Sequence, residues 1–247
     1  MAPTVRHATV MAMSPPATSR GALPLLPHLL CRVDGVADRF AITFDDGPSL
    51  RHTERVLERL RRHGAHATFF QLGRRVQRHP EITRRVRDEG HEVGLHDHHH
   101  LPPIFLPRWV RRRELRACEA AVRAAGVEPA RWYRPPFGLM SAAQAGEVRA
   151  WGYAPVLGDV FPRDPERPGT ERIVEWALAC LRPGSILILH DGSGYGDLDR
   201  SQTVEAADRI LECTASRGLR AVSVGELIGR APGLPGAPPV PAPVWNT

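Results

Sequence analysis

Apolar positions along this chain alternate between two rhythms. Phe40 to Phe44, Ala67 to Phe70, Glu92 to Leu95, Arg131 to Tyr133 and Ser185 to Leu189 are short runs of apolar and β-favouring residues, which predicts buried strands. Between them, apolar residues recur at helical spacing. A helix is predicted from Ser49, as its cap, to about His63, with Val56, Leu57 and Leu60 on its apolar face. A second, Arg-rich helix is broken or bent around Pro80 and ends at Gly90. Further helices are predicted over Pro107 to Ala125, Ser141 to Trp151, Thr170 to Leu181 and Ser201 to Arg217. Ala154 to Val160 reads as an extended run containing a glycine, Arg220 to Val224 as a last strand, and Gly225 to Gly229 as a final turn of helix.

Strand–helix alternation argues for parallel strands covered by helices, either closed as a barrel or open as a doubly wound sheet. The residues with reactive side chains fall just after strands. In a (β/α) barrel those points converge on one face, and on that ground the barrel is preferred.

Composition bounds the picture. A chain of 247 residues with 42% hydrophobic and 24% charged residues fits one large α/β domain. Residues 1–32, rich in Pro, Ala and Ser, are expected to form a poorly ordered leader, 33–230 the domain, and 231–247 a Pro/Gly-rich tail. The formal charge of +6 comes from 33 Lys+Arg against 27 Asp+Glu, and is mostly arginine in runs such as Arg84-Arg85-Val86-Arg87 and Arg108 to Arg116. Apolar residues recur between these arginines at helical spacing, so the runs read as solvated helix faces; nucleic acid is not expected as a partner, and weak attraction to anionic polymers is left open.

Cys31, Cys118, Cys180 and Cys213 lie far apart with no CxxC spacing, which carries neither a redox nor a zinc signal. No apolar run reaches the length of a membrane span. Leu23 to Leu30 is interrupted by proline and precedes no small-residue cleavage site, so a cytoplasmic location is expected; a misassigned start would instead imply secretion or the cell envelope. Oligomeric state is left open.

The candidate chemistry begins at Ala41-Ile42-Thr43-Phe44-Asp45-Asp46-Gly47-Pro48, where a strand delivers two adjacent carboxylates into a Gly-Pro turn. Adjacent residues leaving a strand point in different directions, so one carboxylate can hold a metal while the other manages protons. His96 and His100, four apart in His96-Asp97-His98-His99-His100, can meet at one metal. With an Asp from the first strand end they make an Asp-His-His set that leaves positions open for water and a substrate oxygen. His98 or His99 could substitute as a ligand; solvent exposure or bracing of the loop is the simpler reading of both, and His91 is read as structural.

Thr43-Phe44-Asp45-Asp46-Gly47, the His96–His100 segment, Arg134-Pro135-Pro136-Phe137-Gly138, the Asp164 region and Leu187-Ile188-Leu189-His190 resemble, in order, the motifs of the polysaccharide deacetylases, the NodB-homology group or carbohydrate esterase family 4. The resemblance spans about residues 33–228. It implies an α/β fold, a distorted (β/α)7 barrel, and metal-dependent removal of acetyl groups from N-acetylated sugars or, in some members, O-acetylated xylan.

Carried over position by position, the resemblance makes Asp46, His96 and His100 ligands of a divalent cation, most simply Zn2+, with Co2+, Ni2+ or Mn2+ as alternatives. Asp45 becomes the general base, oriented by Arg134, and His190 the general acid, paired with Asp164. The backbone N–H of Phe137 becomes an oxyanion donor, and Pro135, Pro136, Leu187 and Ile188 line the substrate pocket. Three departures from the family pattern stand out. Asp97 replaces a usual Ser or Thr; Pro165 stands where an Asp-Trp pair supplies an aromatic wall, with Phe161 in place of an earlier Asp; and Phe137 replaces Tyr or Trp. The expected partner is a glycan or amino sugar. Two rivals are a same-fold hydrolase of a non-peptide C–N bond in a small molecule, and a catalytically silent carbohydrate-binding protein. The insertion from His98 to Arg113, with Trp109, is read either as a wall of the site or as a loop packed under a helix.

Overall fold

The structure, a computed structural model, describes residues 29–229. Its seven strands are β1 (Arg39–Asp45), β2 (Thr68–Gln71), β3 (Glu92–Leu95), β4 (Trp132–Tyr133), β5 (Ala154–Pro155), β6 (Ile186–His190) and β7 (Arg220–Val222). All named pairs are parallel, in the order β5-β4-β3-β2-β1-β6, with β7 beside the start of β1. The sheet curls until Val160 bridges back to Leu187 of β6, while Leu30 and Arg32 bridge Val156 and Ser185, so the ring closes through isolated bridges and not through a continuous ladder. Helices α1 (Thr53–Arg62), α2 (Gly73–Arg78), α3 (Pro80–Asp88), α4 (Arg108–Ala124), α5 (Ala142–Ala150), α6 (Thr170–Cys180), α7 (Ser201–Ser216) and α8 (Val224–Gly229) complete the fold. Among the described residues no helix is long and apolar enough to cross a membrane.

The two-residue period of β1 explains how a core and a site share one strand. Phe40, Ile42 and Phe44 point outward into the main core, with Val56, Leu57 and Leu60 of α1 and a stacked Phe69. Ala41 packs on the other side with Phe70, Trp132, Val156 and Ile186. Thr43 and Asp45 follow Ala41 in phase and reach the end of the strand inside the ring.

Three expectations change. The first helix starts at Thr53, not Ser49. The Ser49 hydroxyl accepts the His52 N–H and the Ser49 N–H donates to Thr53 Oγ1, so a side-chain-bonded turn occupies the predicted first turn. Only Ala154 and Pro155 of the predicted extended run pair as a strand, because the chain leaves β4 before rejoining the ring at Val160. Residues 29–32, assigned to the leader on composition, belong to the fold: Leu30 N–H donates to Pro155 O and Leu157 N–H to Leu30 O. The remainder of the predicted leader and the predicted tail lie outside the described residues. The break at Pro80 and the turn at Gly90, with φ of 84°, follow the sequence reading.

Candidate active site

The C-terminal ends of β1, β3, β4 and β6 deliver Asp45 and Asp46, His96, Arg134 and His190 to one face of the ring. Asp46 leaves β1 at φ 71°, which turns its carboxylate away from that of Asp45. Its Oδ1 lies 3.5 Å from His96 Nε2 and 3.1 Å from His100 Nε2, and donor atoms of the three residues fall within 4.8 Å of one another. All three residues are buried, and Asp46 Oδ1 has no hydrogen-bond partner despite these short approaches. Lone pairs converging without hydrogen bonds suit a cation, which satisfies the buried oxygen and both imidazoles at once. His96 is oriented for this by its Nδ1, which donates to the Arg134 carbonyl at 2.7 Å and points Nε2 toward the cluster.

Charge in the cluster follows its burial. Burial raises the Asp46 carboxyl, but nearby His96, His100, His190 and Arg200 outweigh it and hold the group below its ordinary range. Burial pushes His100 down to about 4, against the pull of Asp46, so its imidazole is neutral and available as a ligand at neutral pH.

Asp45 has a different setting. Arg134, fully enclosed, donates from Nη1 to Asp45 Oδ1 at 2.6 Å and to Thr43 Oγ1 at 2.7 Å. Its Nη2 donates to Leu157 O at 2.7 Å, and its Cζ sits 4.1 Å from the centre of the Phe70 ring. Burial lowers the Arg134 pKa and Asp45 opposes that. One oxygen of Asp45 is thereby fixed beside a cation.

His190 stands in register with Asp45 across the β1–β6 pair. Its Nδ1 donates to Asp164 Oδ1 at 3.0 Å, while Asp164 Oδ2 accepts from the His190 N–H and from Thr203 Oγ1, each at 2.9 Å. Asp164, fully buried in a short 3-10 turn, thus cannot swing away. Burial depresses His190, but Asp164, followed by Asp45 and Asp46, overcomes it and lifts the pKa to about 9.

The surroundings refine the predicted pocket. Pro135 and Pro136 lead into a turn with Phe137 at φ 61° and its ring 4.6 Å from that of His100. Leu187 does not line the pocket with its side chain. On β6, Ile186 and His190 face the ring interior, so Leu187 faces out into the core and Ile188 faces in, against Gly158. His99 donates its N–H to the buried Glu114 and pairs with it through Nδ1, bracing the loop and leaving His98 and His99 outside the ligand cluster. Asp97 is enclosed, accepts from Tyr133 Oη at 2.9 Å, and is pushed up to about 8 by burial. Phe161, half exposed, sets its ring 6.0 Å from that of His190, so an aromatic face persists although Pro165 supplies none.

Several contributors escaped sequence reasoning. A Cβ on Gly194 would fall 2.2 Å from His100 Nδ1, and exposed Tyr195 places its ring 5.8 Å from that of His100. Arg75 and Arg200 tie this loop down through Ser193 O at 3.0 Å and Gly192 O at 2.7 Å. Asp159 accepts from the Ile186 N–H at 2.8 Å and from Ser185 Oγ, anchoring the start of β6. The available signal was the run Gly192-Ser193-Gly194-Tyr195-Gly196, whose repeated glycines mark a close backbone approach.

Comparison with known proteins agrees with this arrangement. The family profile described as polysaccharide deacetylase matches residues 33–156. A peptidoglycan-N-acetylglucosamine deacetylase of Bacillus cereus is 36% identical over 206 residues, covering 76% of this chain and 87% of that protein. A chitooligosaccharide deacetylase of Sinorhizobium fredii is 37% identical over 184 residues, covering 72% and 86%. The crystal structure of the Bc1960 peptidoglycan N-acetylglucosamine deacetylase superimposes with a TM-score of 0.74 at 25% identity, covering 81% of this chain and 92% of that one. With the ordered motifs assembled on one face of the curled parallel sheet, the chain belongs to the polysaccharide deacetylase family, hydrolases of carbon–nitrogen bonds other than peptide bonds.

Proposed function

We propose that this protein removes acetyl groups from N-acetylglucosamine units of a glycan, with a divalent cation, most simply Zn2+, held by Asp46, His96 and His100. The names of the Bacillus and Sinorhizobium relatives support that substrate class. The observation that carries the reading is the pairing on either side of the ligand cluster: Asp45 fixed by Arg134, and His190 fixed by Asp164.

When bound, the cation supplies Lewis-acid polarisation of an amide carbonyl and lowers the pKa of a water molecule. Asp45 accepts a proton from the attacking water, and Arg134 holds it in place through one of its two oxygens. The Phe137 N–H donates to the oxygen on which negative charge grows. His190, with Nδ1 committed to Asp164, offers a proton from Nε2 to the departing nitrogen. The carbon gains the water oxygen, the C–N bond breaks, and acetate and a free amine result. Without the His190 proton the leaving group would be an amide anion, far too basic to depart.

The test is acetate release by metal-loaded protein from N-acetylchitooligosaccharides and from peptidoglycan fragments, set beside a panel of small aliphatic amides. Release from the glycans alone supports the reading. Turnover of the amides alone would move it to small-molecule C–N hydrolysis, and glycan binding without release, in metal-replete protein, to a silent binder.

A further inference from the structure

Among the described residues the exposed aromatic side chains are Phe105, Trp109, Phe137, Phe161 and Tyr195. Three of these stand against histidines of the catalytic face: Phe161 beside His190, and Phe137 and Tyr195 beside His100. The proposed reaction uses the backbone N–H of Phe137 and none of the three rings. Tyr195 is the most open of them, at 65% exposure, although the His100 it stands beside is buried.

A single exposed tyrosine on a loose loop would need no explanation. This loop, between β6 and α7, is held at four carbonyls by three arginines. Arg200 Nε donates to Gly192 O at 2.7 Å and Arg75 Nε to Ser193 O at 3.0 Å, while Arg74 Nη2 donates to Gly194 O and Arg75 Nη2 to Gly196 O. Arg75 and Arg200 are themselves buried, and hydrogen bonds from a guanidinium are stronger than neutral ones. Inside the loop, Ser193 Oγ accepts the Tyr195 N–H at 3.1 Å and donates to Tyr195 O at 2.9 Å. The backbone under Tyr195 is therefore set before any ligand arrives, and only the two side-chain torsions remain to be fixed on binding.

The rings of Phe137 and Tyr195 lie 6.3 Å apart with planes inclined at 37°, and Tyr195 meets the His100 ring at 86° and 5.8 Å. Two rings so inclined make a shallow apolar corner beside a residue of the ligand cluster. We infer that Tyr195, with Phe137, is the platform on which the sugar ring of the substrate rests, so that the ring is recognised as well as its acetamide. A pyranose presents C–H groups on its face and hydroxyls around its rim; an aromatic ring covers the face, and the tyrosine hydroxyl stays in water. A small aliphatic amide has no such face to offer. The inference rests on the reading of the site as acting on glycans and deepens it, placing selectivity for a cyclic sugar on Tyr195, a residue outside the ordered motifs.

The test follows N-acetylchitotetraose in three ways. The chain has three tyrosines, and Tyr133 and Tyr153 are buried, so tyrosine-selective 13C labelling leaves one exposed ring to watch. In zinc-loaded Asp45→Asn protein, which should hold the sugar without consuming it, the Tyr195 ring resonances are expected to shift on titration, and calorimetry gives Kd with and without Tyr195→Ala or Tyr195→Phe. Acetate release by the otherwise wild-type chain gives KM and kcat. Tyr195→Ala should raise Kd and KM by about three- to tenfold, the worth of one aromatic stack, with kcat within about twofold and zinc content unchanged. Tyr195→Phe keeps the ring face and should match wild type. Unchanged Kd and KM in Tyr195→Ala, or resonances that do not move, would overturn the inference. Loss of zinc with no change in Kd would reduce Tyr195 to a support for His100, and a Tyr195→Phe as weak as Tyr195→Ala would make the hydroxyl, not the face, the contact; both outcomes also overturn it. In a protein that releases no acetate, a weaker Kd in Tyr195→Ala together with shifted resonances would uphold the platform and remove the catalytic reading alone.

Discussion

Arg134 and Asp45 meet at 2.6 Å in the interior of the ring, each almost completely shielded from water. The pair comes from β1 and from the end of β4, so the position of the base depends on strands that are not adjacent in the sheet. Replacing Asp45 with Asn keeps the shape and the hydrogen bonds of the oxygen facing Arg134 and removes only the proton acceptor. Asp45→Asn should therefore retain bound metal and lose about 10²- to 10⁴-fold in turnover, the usual worth of a positioned general base. Metal analysis by mass spectrometry alongside acetate release checks both halves; full activity in Asp45→Asn would remove Asp45 from that role.

His96→Ala, by contrast, should lose metal and turnover together. Removal of the cation with a chelator is expected to abolish acetate release, with recovery on adding Zn2+. Because a ligand that binds only the folded state stabilises it, saturation about 100-fold above Kd should add roughly 2.7 kcal/mol. Thermal melts with and without metal test this, and the metal-dependent rise should vanish in His96→Ala.

Asp164→Asn probes His190. The Asp164 carboxylate is the main influence lifting the His190 pKa to about 9, so neutralising it should return that value toward the ordinary 6.5. In the cation-free protein, the imidazole resonances of His190 should titrate near 9, and well below that in Asp164→Asn. The consequence for turnover has a definite sign. The acid must be protonated to act, so the alkaline limb of the pH–rate profile should move to lower pH in the variant. An unmoved limb would contradict the role of His190 as proton donor.

The buried Asp97 carboxyl makes a prediction about stability. Its folded pKa, about 8, lies above its ordinary value of 3.8, so the folded state binds the extra proton and stability falls as pH rises between those two values. The loss is complete above about 8. Asp97→Asn, which can still accept from Tyr133, removes this dependence. It should melt close to wild type at pH 4 and higher than wild type at pH 9, a difference that calorimetry or circular dichroism can read.

Gly194 tests how the loop after β6 supports a ligand from the loop after β3. A methyl group there would strike the His100 ring, which is itself enclosed and cannot swing out. Gly194→Ala should lower metal affinity by about 10- to 100-fold, the range seen when the support of a ligating histidine is disturbed. Competition with a metal-sensitive dye measures this, and far-UV circular dichroism should show the fold unchanged.

The sequence made some of this legible and not the rest, for physical reasons. Long, strongly apolar strands such as β1 and β6 announce themselves through composition, and acids and histidines at strand ends then fall on one face by topology alone. The two-residue strands β4 and β5 carry too little pattern, since their extended shape is imposed by neighbours in the ring. Leu187 and Ile188 show a subtler limit: alternation says that one of them faces the pocket, but the phase is fixed only by where β6 pairs with β1. Gly194 and the Tyr133–Asp97 bond join segments far apart in sequence, and no local period records such contacts. The leader boundary was misplaced for the same reason, because Leu30 is held by backbone bonds to β5 and not by any feature of its own composition.

The isolated bridges between β5 and β6, at Val160–Leu187, Leu30–Val156 and Arg32–Ser185, mark a seam in the ring. On one side, β1 and β3 carry Asp46 and His96 within a continuous parallel ladder, and His100 follows in the loop after β3. On the other, the stretch from Leu157 through Asp164, which holds Phe161 beside His190, is tied down by separate contacts: Leu157 to Leu30 and Arg134, Val160 to β6, Asp159 to the start of β6 and Asp164 to His190. Substitutions at Phe161 change the face beside His190 without touching Asp46, His96 or His100. Phe161 and Pro165, where the sequence departs from the motif pattern it resembles, both fall in or next to that stretch, so under the proposed function the seam is where exchanged residues would alter glycan preference on an unchanged scaffold.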